Sequence, residues 1–345
     1  MLVSVLVDTY NHARFLPQAL DSVLAQELPD AAMEVVVVDD GSTDDTPAVL
    51  ARYGERVRVL RKENGGQGSA FNAGIRACRG EWIAFLDGDD WWLPGKLARV
   101  VAEVRREPAL VAVGHGLVEV DELAGRRYDV APVERREFDL RSAAGARAFT
   151  GCMAYLGTSR LFARRDVLLS LLDVPEALTY EADEYLFTLL PACGRVAVLP
   201  DRLTCYRIHG GNLYQGSRTA AWSPEEDERA RHRARMRANI HLCLAERLPG
   251  ALARRGCAEV VVDAALAPLR VMAARLKLRA FGGSRIENLR SEWRAARLER
   301  PRGSVPGMVL LAATLVLALL LPPRTFFHAR DAYSRSSLRR FLGRA

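Results

Sequence analysis

Asp87, Asp89 and Asp90 stand within four residues of one another in Phe85-Leu86-Asp87-Gly88-Asp89-Asp90-Trp91-Trp92, directly after the apolar run Trp82–Leu86. Such a run reads as a buried strand, which places three carboxylates at its tip. Desolvation and mutual repulsion then call for a cation or strong donors nearby. Hard oxygen ligands at spacing i, i+2 suit Mg²⁺ or Mn²⁺, ions that usually keep phosphate oxygens in their shell. The competing reading is an acidic turn that caps a helix beginning near Pro94. Two similar polar clusters occur earlier, Asp8-Thr9-Tyr10-Asn11 and Asp39-Asp40-Gly41-Ser42, each also preceded by an apolar run.

The elements that would position these clusters alternate. Strands are expected at Val3–Val7, Glu34–Val38, Val57–Leu60 and Glu81–Leu86, with helices at Ala13–Gln26 and Ser69–Arg79 and another after the Pro47 turn. Apolar strands separated by helices imply a parallel sheet covered on both faces, with ligands outside the carboxyl ends of the strands. All three polar clusters fall at those ends. Residues 116–150 are charged and irregular. Beyond them order resumes at Met153–Phe162, helices are expected around Asp166–Leu172 and Asp183–Pro191, and Val196–Leu199 reads as a strand. Residues 224–300 read as helical and Arg-rich.

Taken together, Val3-Ser4-Val5-Leu6-Val7-Asp8-Thr9-Tyr10-Asn11, Val38-Asp39-Asp40-Gly41-Ser42-Thr43-Asp44-Asp45-Thr46 and Phe85–Asp90 resemble the family 2 glycosyltransferases. The resemblance covers about residues 1–215. It implies an α/β chain of the GT-A fold, Rossmann-like, with a mostly parallel sheet and helices on both faces. A nucleotide-sugar-binding half would occupy 1–115 and an acceptor and catalytic half 116–215. It further implies an inverting transfer from a nucleotide sugar, with a UDP-sugar as the donor class and Mn²⁺ or Mg²⁺ as cofactor.

Residue by residue, the resemblance puts Thr9 and Tyr10 at the nucleotide base, with the Tyr ring able to stack on it, and Asp39 and Asp40 at uracil or ribose. Asn72 falls in the glycine-rich segment Asn64–Gly74, where the family often carries an Arg and this chain has Phe71. Asp89 would hold the metal and Asp87 contact the ribose or the metal's water shell, while Asp90 is the spare carboxylate, expected as a helix cap. In Tyr206–Asn212, Arg207 would approach the diphosphate and His209 the metal. Asp183 matches the catalytic base, with Glu181 and Glu184 in reserve and Ala182 where the family commonly has Glu. Gln215-Gly216-Ser217-Arg218-Thr219 lacks the Trp of the processive synthases, which points to transfer of one sugar. The different-class alternative is a nucleotide-sugar-binding scaffold within an envelope assembly complex.

The chain has 345 residues and a formal net charge of +7, with Lys scarce and Arg concentrated in the C-terminal half. That distribution fits an anionic membrane surface better than nucleic acid. Six scattered cysteines without a C-x-x-C pair, and a start that runs straight into a strand, are what a reducing cytosol and the absence of a leader would produce. After a helical region at 216–302, residues 303–345 hold the uncharged stretch Pro306–Pro323 and the basic tail Arg335–Arg344. Eighteen apolar residues stand at the lower limit for crossing a bilayer. The expectation is attachment to the cytoplasmic face of a bacterial membrane, with a glycan or lipid-linked acceptor.

Overall fold

The computed structural model describes residues 1–28, 30–140, 157–179, 181–212, 224–299, 305–323, 325–327 and 329–330. Met153 and its neighbours, the segment Gln215–Thr219 and the tail Arg335–Arg344 lie outside these. The chain divides into two compact units, Met1–Ser217 with Arg247–Val262, and Arg218–Glu246 with Asp263–Ala345.

In the first unit, four parallel strands come first: β1 (Leu2–Thr9), β2 (Ala32–Asp39), β3 (Arg58–Arg61) and β4 (Trp82–Asp87). They are followed by β5 (Trp91–Trp92), β6 (Leu110–Asp121), β7 (Arg126–Val130), β8 (Arg136–Phe138), β9 (Phe162–Arg164) and β10 (Arg195–Ile208). The sheet runs β3-β2-β1-β4-β9-β6-β10-β5, with β7 on β6 and β8 on β10. It is therefore mixed rather than mostly parallel. β9 runs antiparallel to both of its neighbours, β4 and β6, while β6 and β10 are parallel to each other. A three-residue strand offers too little alternation to be read from sequence, and Gly114-His115-Gly116 interrupts the apolar pattern of β6, so the length of that strand was hidden as well.

Helices α1 (Leu16–Leu24), α2 (Thr46–Ala51), α3 (Gly66–Ala77), α4 (Lys96–Arg106), α5 (Arg165–Leu171) and α6 (Ala182–Cys193) accompany the strands. Alternation along β1 sorts the core. Val3, Val5 and Val7 join Val35, Val37, Ala84 and Leu86 in one cluster with Leu16, Leu20 and Val23 of α1 and Leu97, Val100 and Val101 of α4. Leu6, Val36, Ile83 and Phe85 are also buried, and Phe71 of α3 meets Phe85 edge-on at 5.5 Å. Phe71 thus stands in place of a charged residue because here it is core. The carboxyl ends of β1, β2 and β4 are left as the polar rim between two packed faces.

The remaining helices are α7 (Pro224–Ala253), α8 (Glu259–Phe281), α9 (Arg285–Glu299) and α10 (Val305–Leu320). Within the second unit, Leu278, Ala318, Phe326 and Phe327 form a small core, and Arg275 and Arg330 both bond the buried Glu292. The apolar stretch is the 16-residue α10. Among the described residues no helix is long and apolar enough to cross a membrane. Val316, Leu317, Leu319 and Leu320 of α10 are exposed.

Candidate active site

Parallel pairing brings the three polar clusters together. Asp8 of β1 lies in register with Asp87 of β4, and Thr9 with Asp39 of β2. Gly88 makes the crossing possible, for a Cβ there would sit 2.7 Å from Thr9 Oγ1 and 2.9 Å from His12 Nδ1. Burial, then the charges of Asp89 and Asp183, push the Asp8 carboxyl up to about 8. Burial first, and then Asp8, Asp90 and Asp89, push Asp87 well above the usual carboxylate range. Asp89 goes the other way: burial would raise it, but the hydrogen bond from His209 and the charges of His12 and His209 hold it down.

Asp89 Oδ2 lies 3.2 Å from His209 Nε2 and 3.8 Å from His12 Nε2. Among the described residues no three His, Cys, Asp or Glu side chains are arranged to hold an ion unaided. The donor set nevertheless fits Mn²⁺ or Mg²⁺, because carboxylates that raise one another's pKa are relieved by a cation, and diphosphate and water can supply the remaining ligands.

Arg207 is held by groups of the protein itself. Its backbone N–H donates to Asp90 Oδ1 at 2.8 Å and its Nε to the Asp89 carbonyl at 2.8 Å. Nη2 reaches Gln18 Oε1 at 2.6 Å, Nη1 bonds Glu122, and the guanidinium lies between the rings of Phe15 and Trp91 at 4.8 and 4.5 Å. A guanidinium so engaged fixes the Asp89-Asp90 turn. Asp90 likewise does not cap the following helix. Gly95, in the left-handed conformation, precedes α4 instead, and Asp90 is spent on Arg207.

Asp183 lies in the first turn of α6, after Glu181 in a left-handed conformation. Its Oδ2 accepts from the backbone N–H and the hydroxyl of Thr158, both at 3.2 Å, and Oδ1 accepts from Glu184 N–H at 2.8 Å. Burial lifts its carboxyl above the ordinary range, partly offset by the Thr158 and Glu184 bonds. A raised carboxylate is a stronger proton acceptor, as a general base requires. Gln67 of α3 ties this element to the strand tips. Its Nε2 lies 3.3 Å from both Asp87 Oδ1 and Thr158 Oγ1, and its Oε1 accepts from Ala182 N–H at 3.0 Å.

The other residues singled out from sequence divide. Tyr10 is exposed, free to stack on a base. Thr9 is buried, its carbonyl accepting from Asp40 N–H and its hydroxyl without a partner. Asp39 Oδ1 accepts from Ser42 N–H and Oδ2 lies 3.5 Å from Arg61 Nε, and the residue lines a cavity of about 350 Å³ together with Pro47, Leu50 and Val57. The Asp40 carboxylate is occupied by Lys62 at 2.6 Å and by the N–H groups of Gly65 and Gly66, so it anchors the glycine-rich loop. Asn72 pairs with the Val174 backbone through both amide atoms at 2.9 Å, which ties α3 to that segment. His12, Asp8, Gln67 and Thr158 were not singled out as site residues. The first two flank Thr9-Tyr10-Asn11, which was the available signal; nothing local marks Gln67 or Thr158.

Residues 4–168 match the glycosyl transferase family 2 profile. An uncharacterised glycosyltransferase of Nostoc sp. is 35% identical over 235 residues, 67% of this chain and 72% of that protein. The succinoglycan biosynthesis protein ExoO of Rhizobium meliloti is 36% identical over 61% of this chain, which spans 62% of its length. Among solved structures, S. aureus TarS 1–349 in complex with UDP superposes with a TM-score of 0.55 at 22% identity, covering 96% of this chain and 92% of that one. The mannosyltransferase PcManGT of Pyrobaculum calidifontis, in complex with GDP-Man and Mn²⁺, gives 0.51 at 22% identity over 99% and 88%. The two structures are alike in fold.

Proposed function

The chain belongs to glycosyl transferase family 2, and on that footing we propose that it is an inverting, metal-dependent transferase moving one sugar from a UDP-sugar to a hydroxyl of a glycan or lipid-linked acceptor. The observation that carries this reading is the pairing of two carboxylate sites across Gln67, Asp87 and Asp89 on one side and Asp183 on the other. UDP in TarS and GDP-Man with Mn²⁺ in PcManGT support the donor and the ion. The part of ExoO in succinoglycan biosynthesis supports an envelope polysaccharide or glycolipid as product. Exposed apolar residues on α10 support attachment to the cytoplasmic face of the membrane.

In this reading Tyr10 stacks on the base and Asp39 accepts from its N–H. Asp89, with Asp87 and an imidazole beside it, would hold the divalent ion, which would supply Lewis-acid neutralisation of the diphosphate. Arg207 keeps the Asp89-Asp90 turn in place through its carbonyl and carboxylate contacts. Asp183 Oδ takes the proton of the acceptor hydroxyl as that oxygen attacks the anomeric carbon, from the face opposite the leaving diphosphate, and Thr158 holds the carboxylate oriented for it. Purified protein should release UDP from a UDP-sugar with Mn²⁺ present, and Asp89→Ala should abolish the release. Equal release in the variant would defeat the metal-site assignment, and none from the wild type across a panel of UDP-sugars with Mn²⁺ and acceptor would favour a binding scaffold.

A further inference from the structure

Lys96 is a fully buried cation at the start of α4, directly after the left-handed Gly95. A charge in such a place is costly unless its donors are satisfied. An ammonium has three N–H groups, and three acceptors meet them here. Nζ lies 2.7 Å from the Ser159 carbonyl oxygen, 3.2 Å from Thr204 Oγ1 and 4.0 Å from the centre of the Trp92 ring. Strand pairing supplies two of the three, because Thr204 of β10 is in register with Trp92 of β5. The Thr204 hydroxyl donates its own hydrogen to the same Ser159 carbonyl at 2.7 Å, which leaves its lone pairs for the ammonium. Burial pushes the Lys96 amine well below the usual lysine range, yet the neutral amine keeps N–H groups for the carbonyl.

Ser159 belongs to the short turn Thr158–Arg160, which stands between the two carboxylate sites. Its Oγ accepts from Asp87 N–H at 3.1 Å and donates to Asp87 Oδ2 at 3.2 Å. The residue before it, Thr158, donates both its N–H and its hydroxyl to Asp183 Oδ2. Adjacent residues of one turn therefore hold the donor-side carboxylate and the base. Two backbone bonds, Arg160 N–H to the Gly157 carbonyl and Leu161 N–H to the Thr158 carbonyl, are too few to fix such a turn alone. The contacts of Lys96 and Thr204 with the Ser159 carbonyl supply the remaining constraint.

Taking Asp87 and Asp183 in the roles of the reading above, we propose that Lys96 is a positioning residue: it pins the Ser159 carbonyl, with Thr204, and so sets the spacing of the donor-side carboxylate and the base together. It touches no reacting atom. Its effect passes through the turn to both sites at once, which distinguishes it from any side chain that serves one of them.

The test uses the full chain with UDP, Mn²⁺ and a UDP-sugar that the wild type turns over. Lys96→Met keeps the stem beside Trp92 and deletes the donors; Thr204→Val deletes the hydroxyl and Thr204→Ser retains it. In Lys96→Met and Thr204→Val, exchange of the Asp87 and Thr158 amide hydrogens, read by nuclear magnetic resonance, should quicken while Val5 and Val36 keep their protection. In the same two variants kcat should fall about 10²-fold, as for a misplacement of about 1 Å, and UDP affinity about tenfold, as for an outer partner of a site carboxylate. Asp183→Asn, acting on the base alone, should not produce that double loss, and Thr204→Ser should stay near the wild type in both. A lowered melting temperature with unchanged kcat, unchanged UDP affinity and exchange quickened evenly across the sheet would overturn the proposal and leave Lys96 a core residue. If Lys96→Met does not fold, the two Thr204 variants decide, and equal behaviour of Thr204→Val and Thr204→Ser would overturn it. A wild type that releases no UDP from any UDP-sugar defeats the transferase reading by itself, and the amide exchange then still decides whether Lys96 sets the turn.

Discussion

The residue with the plainest chemical consequence is Asp183. As the proposed base it would act on the acceptor oxygen in the transition state, so Asp183→Asn should lower kcat about 10²–10⁴-fold while UDP affinity, measured by calorimetry, stays near that of the wild type. Because burial raises its carboxyl, the base loses its charge sooner on acidification than an ordinary carboxylate does. The acid limb of the kcat profile should therefore lie above the usual value of about 4, and turnover should fall as pH drops through it. Normal turnover in Asp183→Asn, with loss in Glu181→Gln or Glu184→Gln, would move the base to a neighbour on the same turn.

Side chains that hold elements together are expected to behave differently from those that touch substrate. Asn72 carries two hydrogen bonds from α3 to the Val174 backbone. Its removal in Asn72→Ala leaves those backbone groups unpaired, at a cost of about 1–3 kcal/mol, and the melting temperature should fall by about 2–4 °C for each kcal/mol in a domain of this size. UDP affinity should hold. An unchanged melting temperature with lost UDP binding would return Asn72 to the donor site. On α4, burial would raise Glu103, but bonds from Arg106, Arg99 and Arg135 outweigh it and hold the carboxyl down to about 2, from 4.5. The unfolded chain then takes up this proton first, so the stabilisation is complete above about pH 4.5 and is lost as pH falls toward 2. Urea titrations across that range should show a flatter acid limb for Glu103→Gln than for the wild type; parallel curves would mean the arginine cluster contributes nothing measurable.

For the whole molecule the open question is where the catalytic unit works. Ala318, Phe326 and Phe327 form the small core of the second unit, whereas Leu317 and Leu320 project from α10 exposed. On the proposed attachment to a membrane, apolar burial and attraction of a +7 chain to anionic lipid would supply the two signals that lasting binding needs. Co-sedimentation with phosphatidylglycerol vesicles should be strong for the wild type and largely lost in Leu317→Glu/Leu320→Glu, with UDP binding kept. Equal sedimentation of the two proteins would rule out this face of α10 as the attachment.

Sequence by itself determined the strand-tip chemistry. Apolar runs ending in Asp8-Thr9, Asp39-Asp40 and Asp87-Gly88-Asp89 are local patterns, and parallel pairing of such runs can only gather their ends. The family followed from the same three motifs. What each polar side chain does was decided by the tertiary structure, because hydrogen-bond partners lie far along the chain: Arg207 is committed to Gln18 and Asp89, Asp40 to Lys62 and the Gly65-Gly66 backbone, and Asn72 to Val174. Phe71 shows the same separation, since only packing against Phe85 makes an apolar residue there intelligible. The antiparallel β9 was also a tertiary decision, three residues having too little periodicity to declare a direction.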